Sequence, residues 1–364
     1  MKDRFDERRD RLRKLVKKAD ATAILVTDFT NVTYLTGFTG DDSYLLVNRD
    51  GAVLISDPRY TTQLSEECPG LDLFIRPPGV SMLAAVAKVV EKSKCRKLGV
   101  EGDSMTVGLR EQIAAEMPVL EFATTSGLVE QLRQIKDAEE VAAIRKAIYQ
   151  AERAFGVIRA TLRPDKTEKQ IADELDQQMR AFGAQGSGFP SIVAVGPRAA
   201  LPHARPTDQT VGVNSLLLID WGADGGLYRS DLTRVLATGT ISPKLERIYG
   251  VVLKAQRAAI EAIRPGVIAG DVDRVAREII SQEGFGRNFG HGLGHGLGLQ
   301  VHEAPRLAVN VSGELRPGMV VTVEPGIYLP GWGGVRIEDD VLVTRTGHEV
   351  LTSVPKQLED IVVR

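Results

Sequence analysis

Two stretches of this chain share a build that few folds accommodate: an apolar run ending on a carboxylate, a glycine-rich turn, and a second apolar run carrying another carboxylate. The first reads SLLLIDWGADGGLYRSDLTRVLA, with Asp220 closing one run and Asp231 opening the next. Apolar runs flanking a turn cluster predict a β-hairpin. Folding about Gly225–Gly226 sets Asp220 directly opposite Asp231. Residues so placed have Cβ atoms about 5 Å apart, and like charges there repel unless something positive lies between them. A divalent cation would supply that charge.

The pattern recurs in MVVTVEPGIYLPGWGGVRIEDDVLV, an apolar hairpin centred near Gly331 with Glu324 and Glu338 on its arms. Glu324 precedes a proline, which biases it to an extended backbone. Glu338 lies in the alternating context of Val335, Ile337 and Asp339, its side chain on the opposite face from theirs. Between the hairpins in sequence lies FGHGLGHGLGLQVHE, with His291, His295 and His302 and a glycine at every second position from 290 to 298. Glycine at that density excludes a helix, so the spacing of His291 and His295 is not the helical zinc-protease pattern. It suits a backbone that approaches something closely. Asp220, Asp231, His295, Glu324 and Glu338 form a hard, oxygen-rich set with the negative charge that two divalent ions require. Carboxylates bridging a metal pair roughly 3.5–4 Å apart would hold a hydroxide between them as nucleophile. Manganese or cobalt suits such ligands; iron and zinc stay open.

With 364 residues the chain is long enough for two cores. Residues 1 to about 125 alternate short apolar runs (Ala23 to Val26, Tyr44 to Val47, Val53 to Ile55, Leu71 to Ile75, Leu98 to Val100, Val119 to Phe122) with helical stretches at Met82 to Val90 and Val107 to Ala115. That is an α/β pattern with its own core. A boundary is expected at Gly127, giving domains 1–127 and 128–364. Beyond it, Asp137 with Glu140 caps a long amphipathic helix that runs to Pro164, and Thr167 with Gln170 caps another that stops at Gly183. Further helices start at Ser242-Pro243 and lie between Asp271 and Gly284. Strands are expected at Ser191 to Val195, Leu216 to Asp220, Asp231 to Ala237, Met319 to Glu324 and Val335 to Val343. Helices grouped against antiparallel hairpins make the second domain α+β.

The net charge of −2 provides no global field for nucleic acid or anionic lipid, so a small solute is the expected partner. Cys68 and Cys95 show neither metal spacing nor a disulfide framework, which fits a reducing compartment. The N-terminus has no apolar signal region and no apolar run approaches the roughly 20 residues of a membrane span, so the cytoplasm is expected.

At these residues the chain resembles the pita-bread (creatinase/aminopeptidase) family of metallopeptidases, which includes methionine aminopeptidase, Xaa-Pro aminopeptidase and prolidase. The ligand order Asp, Asp, His, Glu, Glu is met in IDWGADGGLYRSDLTR, HGLGHGLGLQVHE, TVEPGIY and VRIEDD. NVTYLTGFTG and LISDPRYTTQ resemble the creatinase-like N-terminal domain of the proline-directed branch. The resemblance implies a two-metal exopeptidase acting on peptides with proline in second position, as an Xaa-Pro aminopeptidase or Xaa-Pro dipeptidase. It also implies Glu324 as general base and proton shuttle, His302 polarising the substrate carbonyl, and His203 with Arg336 stabilising the bound peptide or the tetrahedral intermediate. Tyr228 and Phe189 are candidate linings of the proline pocket, and a homodimer is expected on the same ground. Gln300 departs from the glutamate that many relatives carry, removing a charge near the site but no ligand. On the residues alone, His203 also reads as a plain loop histidine and Arg336 as an ion-pair partner of Glu338 or Asp339.

Two other readings compete. A catalytically silent binding module on the same scaffold would usually have lost ligands, and this chain has lost none. A methionine aminopeptidase would generally lack the N-terminal domain, and a creatinase-like hydrolase would not need the full ligand set.

Overall fold

A computed structural model of the protein describes residues 3–213 and 215–363. The chain divides into two compact units, Met1–Arg133 and Gln134–Arg364. The division falls after Arg133 rather than at Gly127 because the intervening residues form a short helix, Leu128–Arg133, that belongs to the first unit. There Arg133 donates to Oδ1 of Asn31 at 2.9 Å, and the Asn31 amide donates to Glu130.

In the first unit the helices are α1 (Arg4–Lys18), α2 (Phe29–Thr36), α3 (Thr61–Glu67), α4 (Met82–Lys92), α5 (Val107–Glu116) and α6 (Leu128–Arg133). The strands are β1 (Ala23–Val26), β2 (Tyr44–Asn48), β3 (Ala52–Ser56), β4 (Asp72–Ile75), β5 (Lys97–Glu101) and β6 (Glu121–Thr125). They form one mixed sheet in the order β4-β3-β2-β1-β5-β6. The β2–β3 hairpin turns at Asn48–Gly51, where the Asn48 side chain accepts the amides of Asp50 and Gly51. The last strand begins at Glu121 rather than Val119, which is almost fully exposed.

The second unit opens with α7 (Ala138–Thr161) and α8 (Glu168–Ala181), each started by the expected reciprocal cap, Asp137 with Glu140 and Thr167 with Gln170. Then come β7 (Gly186–Ser187), β8 (Ile192–Val195), β9 (Leu216–Trp221), β10 (Ala223–Asp224) and β11 (Leu232–Thr238). Helices α9 (Pro243–Ala262) and α10 (Ala269–Gln282) follow. The chain finishes through β12 (Gly294–Gly296), β13 (Glu303–Leu307), β14 (Val320–Val323), β15 (Gly326–Leu329), β16 (Gly333–Arg336), β17 (Asp339–Val343), β18 (His348–Val350) and β19 (Val362–Val363). Two sheets dominate, β19-β11-β9-β8 and β13-β12-β14-β17-β18. Apolar residues of both sheets share one core with α9 and α10. A second core lies under α7 and α8, where Trp221 stacks on Phe155 at 4.3 Å and donates from its indole to the Ala151 carbonyl. The residue beside Asp220 is thereby locked to a helix. Among the described residues no helix is long and apolar enough to cross a membrane.

Candidate metal centre and cleft

Both hairpins form, with one correction to each. In the first, Asp220 lies opposite Thr233, not Asp231, because the turn is centred one residue later than Gly225–Gly226. Gly225 donates to the Tyr228 carbonyl, Gly226 has φ 118°, and Asp224 accepts the Gly226 amide while pairing with Arg229. The register therefore moves by two positions. An even shift preserves side-chain parity, so Asp220 and Asp231 still share a face, set diagonally.

In the second hairpin the expected strand Val335 to Val343 is two strands, β16 and β17, interrupted at Ile337–Glu338. β14 pairs with β17 and β15 with β16 in one continuous register, and Glu324 and Glu338 occupy the gap between those ladders. Freed from its own partner strand, Glu338 bridges to the first hairpin, its amide donating to the Thr233 carbonyl at 3.2 Å. Thr233 also donates its hydroxyl to Oε2 of Glu338. The hairpins thus present their carboxylates to one space.

The glycine-rich segment forms the third wall. It is not helical; it runs as β12 between β13 and β14. A Cβ at Gly294 would lie 2.0 Å from the Thr322 carbonyl oxygen, the close approach that the glycine density implied. Thr322 completes the seat: its hydroxyl accepts from the His295 amide at 3.1 Å and donates to Oε1 of Glu324 at 3.3 Å.

His295 aims Nε2 at Oε1 of Glu324 and Oδ2 of Asp231, 3.4 and 3.6 Å away. Its Nδ1 donates to the Gly296 carbonyl, and burial pushes its pKa down to about 4, so near neutrality Nε2 carries a lone pair. A lone pair facing two ionised carboxylates is repulsive until a proton or a cation lies among them. Asp231, His295 and Glu338 each offer a ligand atom, all within 4.8 Å of one another. Burial raises all four carboxyl pKa values, that of Glu324 to about 8, and mutual repulsion adds to the rise at Asp231 and Glu338. Oδ1 of Asp220 is buried without a hydrogen-bond partner. An orphaned oxygen, a directed imidazole lone pair and crowded carboxylates together fit divalent cations.

These five residues line a cleft of about 560 Å³ together with His203, His291, His302, Arg336 and Phe189. Tyr228 is not among the lining residues: it is buried and its hydroxyl donates to Glu140 of α7 at 2.7 Å. Arg336 takes a different partner from those its sequence neighbours suggested. Its Nη2 donates to Oδ2 of Asp220 at 2.5 Å, Nη1 to the Tyr328 hydroxyl and Nε to Thr233. The guanidinium supports the candidate ligand Asp220 while still lining the cleft. Asp339 pairs instead with Arg234 and Lys356.

Several supports had no signal in the sequence. Tyr328 accepts from Arg336 and donates to Nε2 of His291, whose Nδ1 donates to Gly292 and whose pKa burial lowers to about 4. Asp273 of α10 accepts the Leu293 amide and pairs with Arg277, which donates to the carbonyls of Phe289 and His291. Buried Lys136 pairs with Glu303, which also accepts the Gln300 amide beside His302. The contacts of Tyr328 with His291, of Asp273 with Leu293 and of Lys136 with Glu303 join elements 20 or more residues apart, which spacing cannot disclose.

Residues 142–345 match the model of metallopeptidase family M24, and residues 8–135 match the creatinase/prolidase N-terminal domain. The chain is 35% identical over 354 residues to the Xaa-Pro dipeptidase of Pyrococcus furiosus, covering 96% of this chain and 99% of that protein. The structure of the Xaa-Pro dipeptidase from Bacillus anthracis superposes with a TM-score of 0.95 at 40% identity, covering 98% of this chain and 99% of that one. That of the X-Pro aminopeptidase from Thermotoga maritima does so with a TM-score of 0.89 at 35% identity, covering 96% and 100%. The two-domain pita-bread architecture expected from the sequence is that of these neighbours. Matches that span both units, on this fold, make the chain a hydrolase of metallopeptidase family M24 that carries a creatinase/prolidase N-terminal domain.

Proposed function

We propose that the protein hydrolyses the Xaa-Pro peptide bond and that its preferred substrates are Xaa-Pro dipeptides. The observation that carries the reading is the cleft itself, in which Asp220, Asp231, His295, Glu324 and Glu338 converge beside His203 and His302. Those five residues would hold two divalent metal ions, manganese being the expected occupant. When bound, such ions polarise a carbonyl and lower the pKa of water.

The protein's own groups do the rest. Glu324 accepts the proton of the attacking water and returns it to the departing proline nitrogen, a task suited to a carboxylate on the cleft wall beside His295. His302, exposed at the cleft, donates to the scissile carbonyl, and His203 steadies the peptide from the facing loop. Phe189, Pro190, Pro202 and Pro206 give an apolar wall for the proline ring.

Preference for a dipeptide is supported by Arg205 and Arg306, two further cations on the cleft that complement a free α-carboxylate. It is also supported by the dipeptidase names of two relatives. The aminopeptidase from Thermotoga maritima supports the alternative, a longer substrate. Purified protein with Mn2+ is expected to cleave Xaa-Pro faster than Xaa-Pro-Xaa, with Glu324→Ala inactive and Arg306→Ala raising KM for the dipeptide selectively. Faster cleavage of the tripeptide would assign the protein as an aminopeptidase.

A further inference from the structure

His203 and Arg205 reach the cleft from a segment with little regular structure, a single 3-10 turn at Gly196–Ala200 followed by irregular backbone to Thr207. Both are exposed, so neither is held by its own packing. The ends of the segment are held instead by one carboxylate. Glu168, the first residue of α8, is 0% exposed. Its Oε1 accepts the Val195 amide at 2.8 Å and Nε of Arg198 at 2.9 Å. Its Oε2 accepts the same Nε at 2.9 Å, the Thr207 amide at 2.8 Å and the Thr207 hydroxyl at 2.7 Å. Arg198 passes the grip onward, donating from Nη2 to the Arg205 carbonyl at 2.6 Å.

A glutamate at a helix start is ordinarily a solvated complement to the helix dipole. This one has no contact with water, and burying a carboxylate is costly unless donors surround it. The donors here come from both ends of one cleft-lining segment. On the opposite side the segment rests on β16, where a Cβ at Gly334 would lie 2.0 Å from the Ala199 carbonyl oxygen. It is therefore clamped between α8 and the hairpin that carries Glu338.

We propose that Glu168 and Arg198 are positioning residues for the substrate side of the cleft: they set His203 and Arg205 against the peptide while leaving the metal ligands untouched. This rests on the peptidase reading of the cleft, and it makes substrate binding separable from metal binding. Glu168→Gln keeps the shape but offers an amide where the Thr207 and Arg198 donors need an acceptor. With Mn2+ and an Xaa-Pro dipeptide, KM is expected to rise roughly tenfold or more, kcat to change by less than about threefold, and Mn2+ affinity to stay as in the wild type. In a His203→Ala, Arg205→Ala background Glu168→Gln adds little further, because the groups it positions are gone. Arg198→Lys, a milder change that keeps the charge, serves if Glu168→Gln does not fold.

Hydrogen exchange provides a readout without substrate: the Val195 and Thr207 amides lose protection in Glu168→Gln while those of Leu216–Trp221 keep theirs. Loss of Mn2+ binding, a matched fall in kcat and kcat/KM, or full additivity with the double alanine background overturns the proposal. If the wild type turns over no Xaa-Pro peptide with Mn2+, the functional reading fails, and unaltered exchange at Val195 and Thr207 would refute the positioning role independently.

Discussion

Thr233, the residue directly across the ladder from Asp220, donates its hydroxyl to Oε2 of Glu338 at 2.6 Å and accepts from Nε of Arg336 at 3.1 Å. One fully buried side chain thus ties the first acidic hairpin to a candidate ligand and a support of the second. Thr233→Val keeps the shape and deletes both bonds. Stability should fall by about 1–3 kcal/mol and Mn2+ affinity by roughly tenfold. Urea unfolding and metal titration measure the two separately; unchanged affinity would reduce the hydroxyl to a packing role.

Removal of metal should make stability depend on pH in a definite direction. A free glutamate ionises near 4.5, whereas in the metal-free fold burial holds the proton on Glu324 until about 8. Between those values the folded state binds more protons than the unfolded one. The stabilising contribution is therefore fully present below 4.5 and lost as pH rises through about 8. Asp231 and Glu338, also raised, act in the same sense. Cations offset the repulsion and bind best to the ionised set. Chelator-treated protein should lose thermal stability across that window, with the gap to Mn2+-loaded protein widening as pH rises. A gap that narrows would contradict it.

Tyr228 and Phe189 should behave differently despite similar standing in the sequence. Tyr228→Phe removes a buried hydroxyl bonded to Glu140, outside the cleft, and should cost about 1–3 kcal/mol with KM unchanged. Phe189→Ala, on the cleft, should raise KM several-fold. Steady-state kinetics with thermal melts distinguish them.

Asp273 holds the glycine-rich strand from behind, accepting the Leu293 amide at 3.0 Å while paired with Arg277. Asp273→Ala leaves that buried amide without its acceptor and the Arg277 guanidinium with only the carbonyls of Phe289 and His291. A loss of roughly 2–4 kcal/mol is expected, with weaker Mn2+ binding through displacement of His295. Equal metal affinity in the variant would show that β12 holds its place without α10.

How much of this was legible in advance depended on the range over which the information acts. Both capping boxes, the Asn48–Gly51 turn and the non-helical path of the His291–His295 segment rest on residues within a few positions of one another, and each formed as expected. That the five candidate ligands share one cleft was legible because the hairpins that carry four of them are local and because side-chain parity survives a shift of two in register. The turn centre itself was not legible, since the Asp224 contacts with Gly226 and Arg229 select it over the neighbouring glycine pair.

What the sequence by itself determined is the chemistry on offer: four carboxylates and an imidazole carried on hairpins and a glycine strand, in the family's order. Only the tertiary structure decided who supports whom. Arg336 pairs with Asp220 rather than with Glu338 or Asp339, and Tyr228 turns away from the cleft to Glu140. Glu168 leaves the role of helix-start charge to clamp the loop of His203. The reason is physical: a buried charge must find its partner wherever the packed chain brings one within about 3 Å, and that choice spans separations that no sequence pattern encodes.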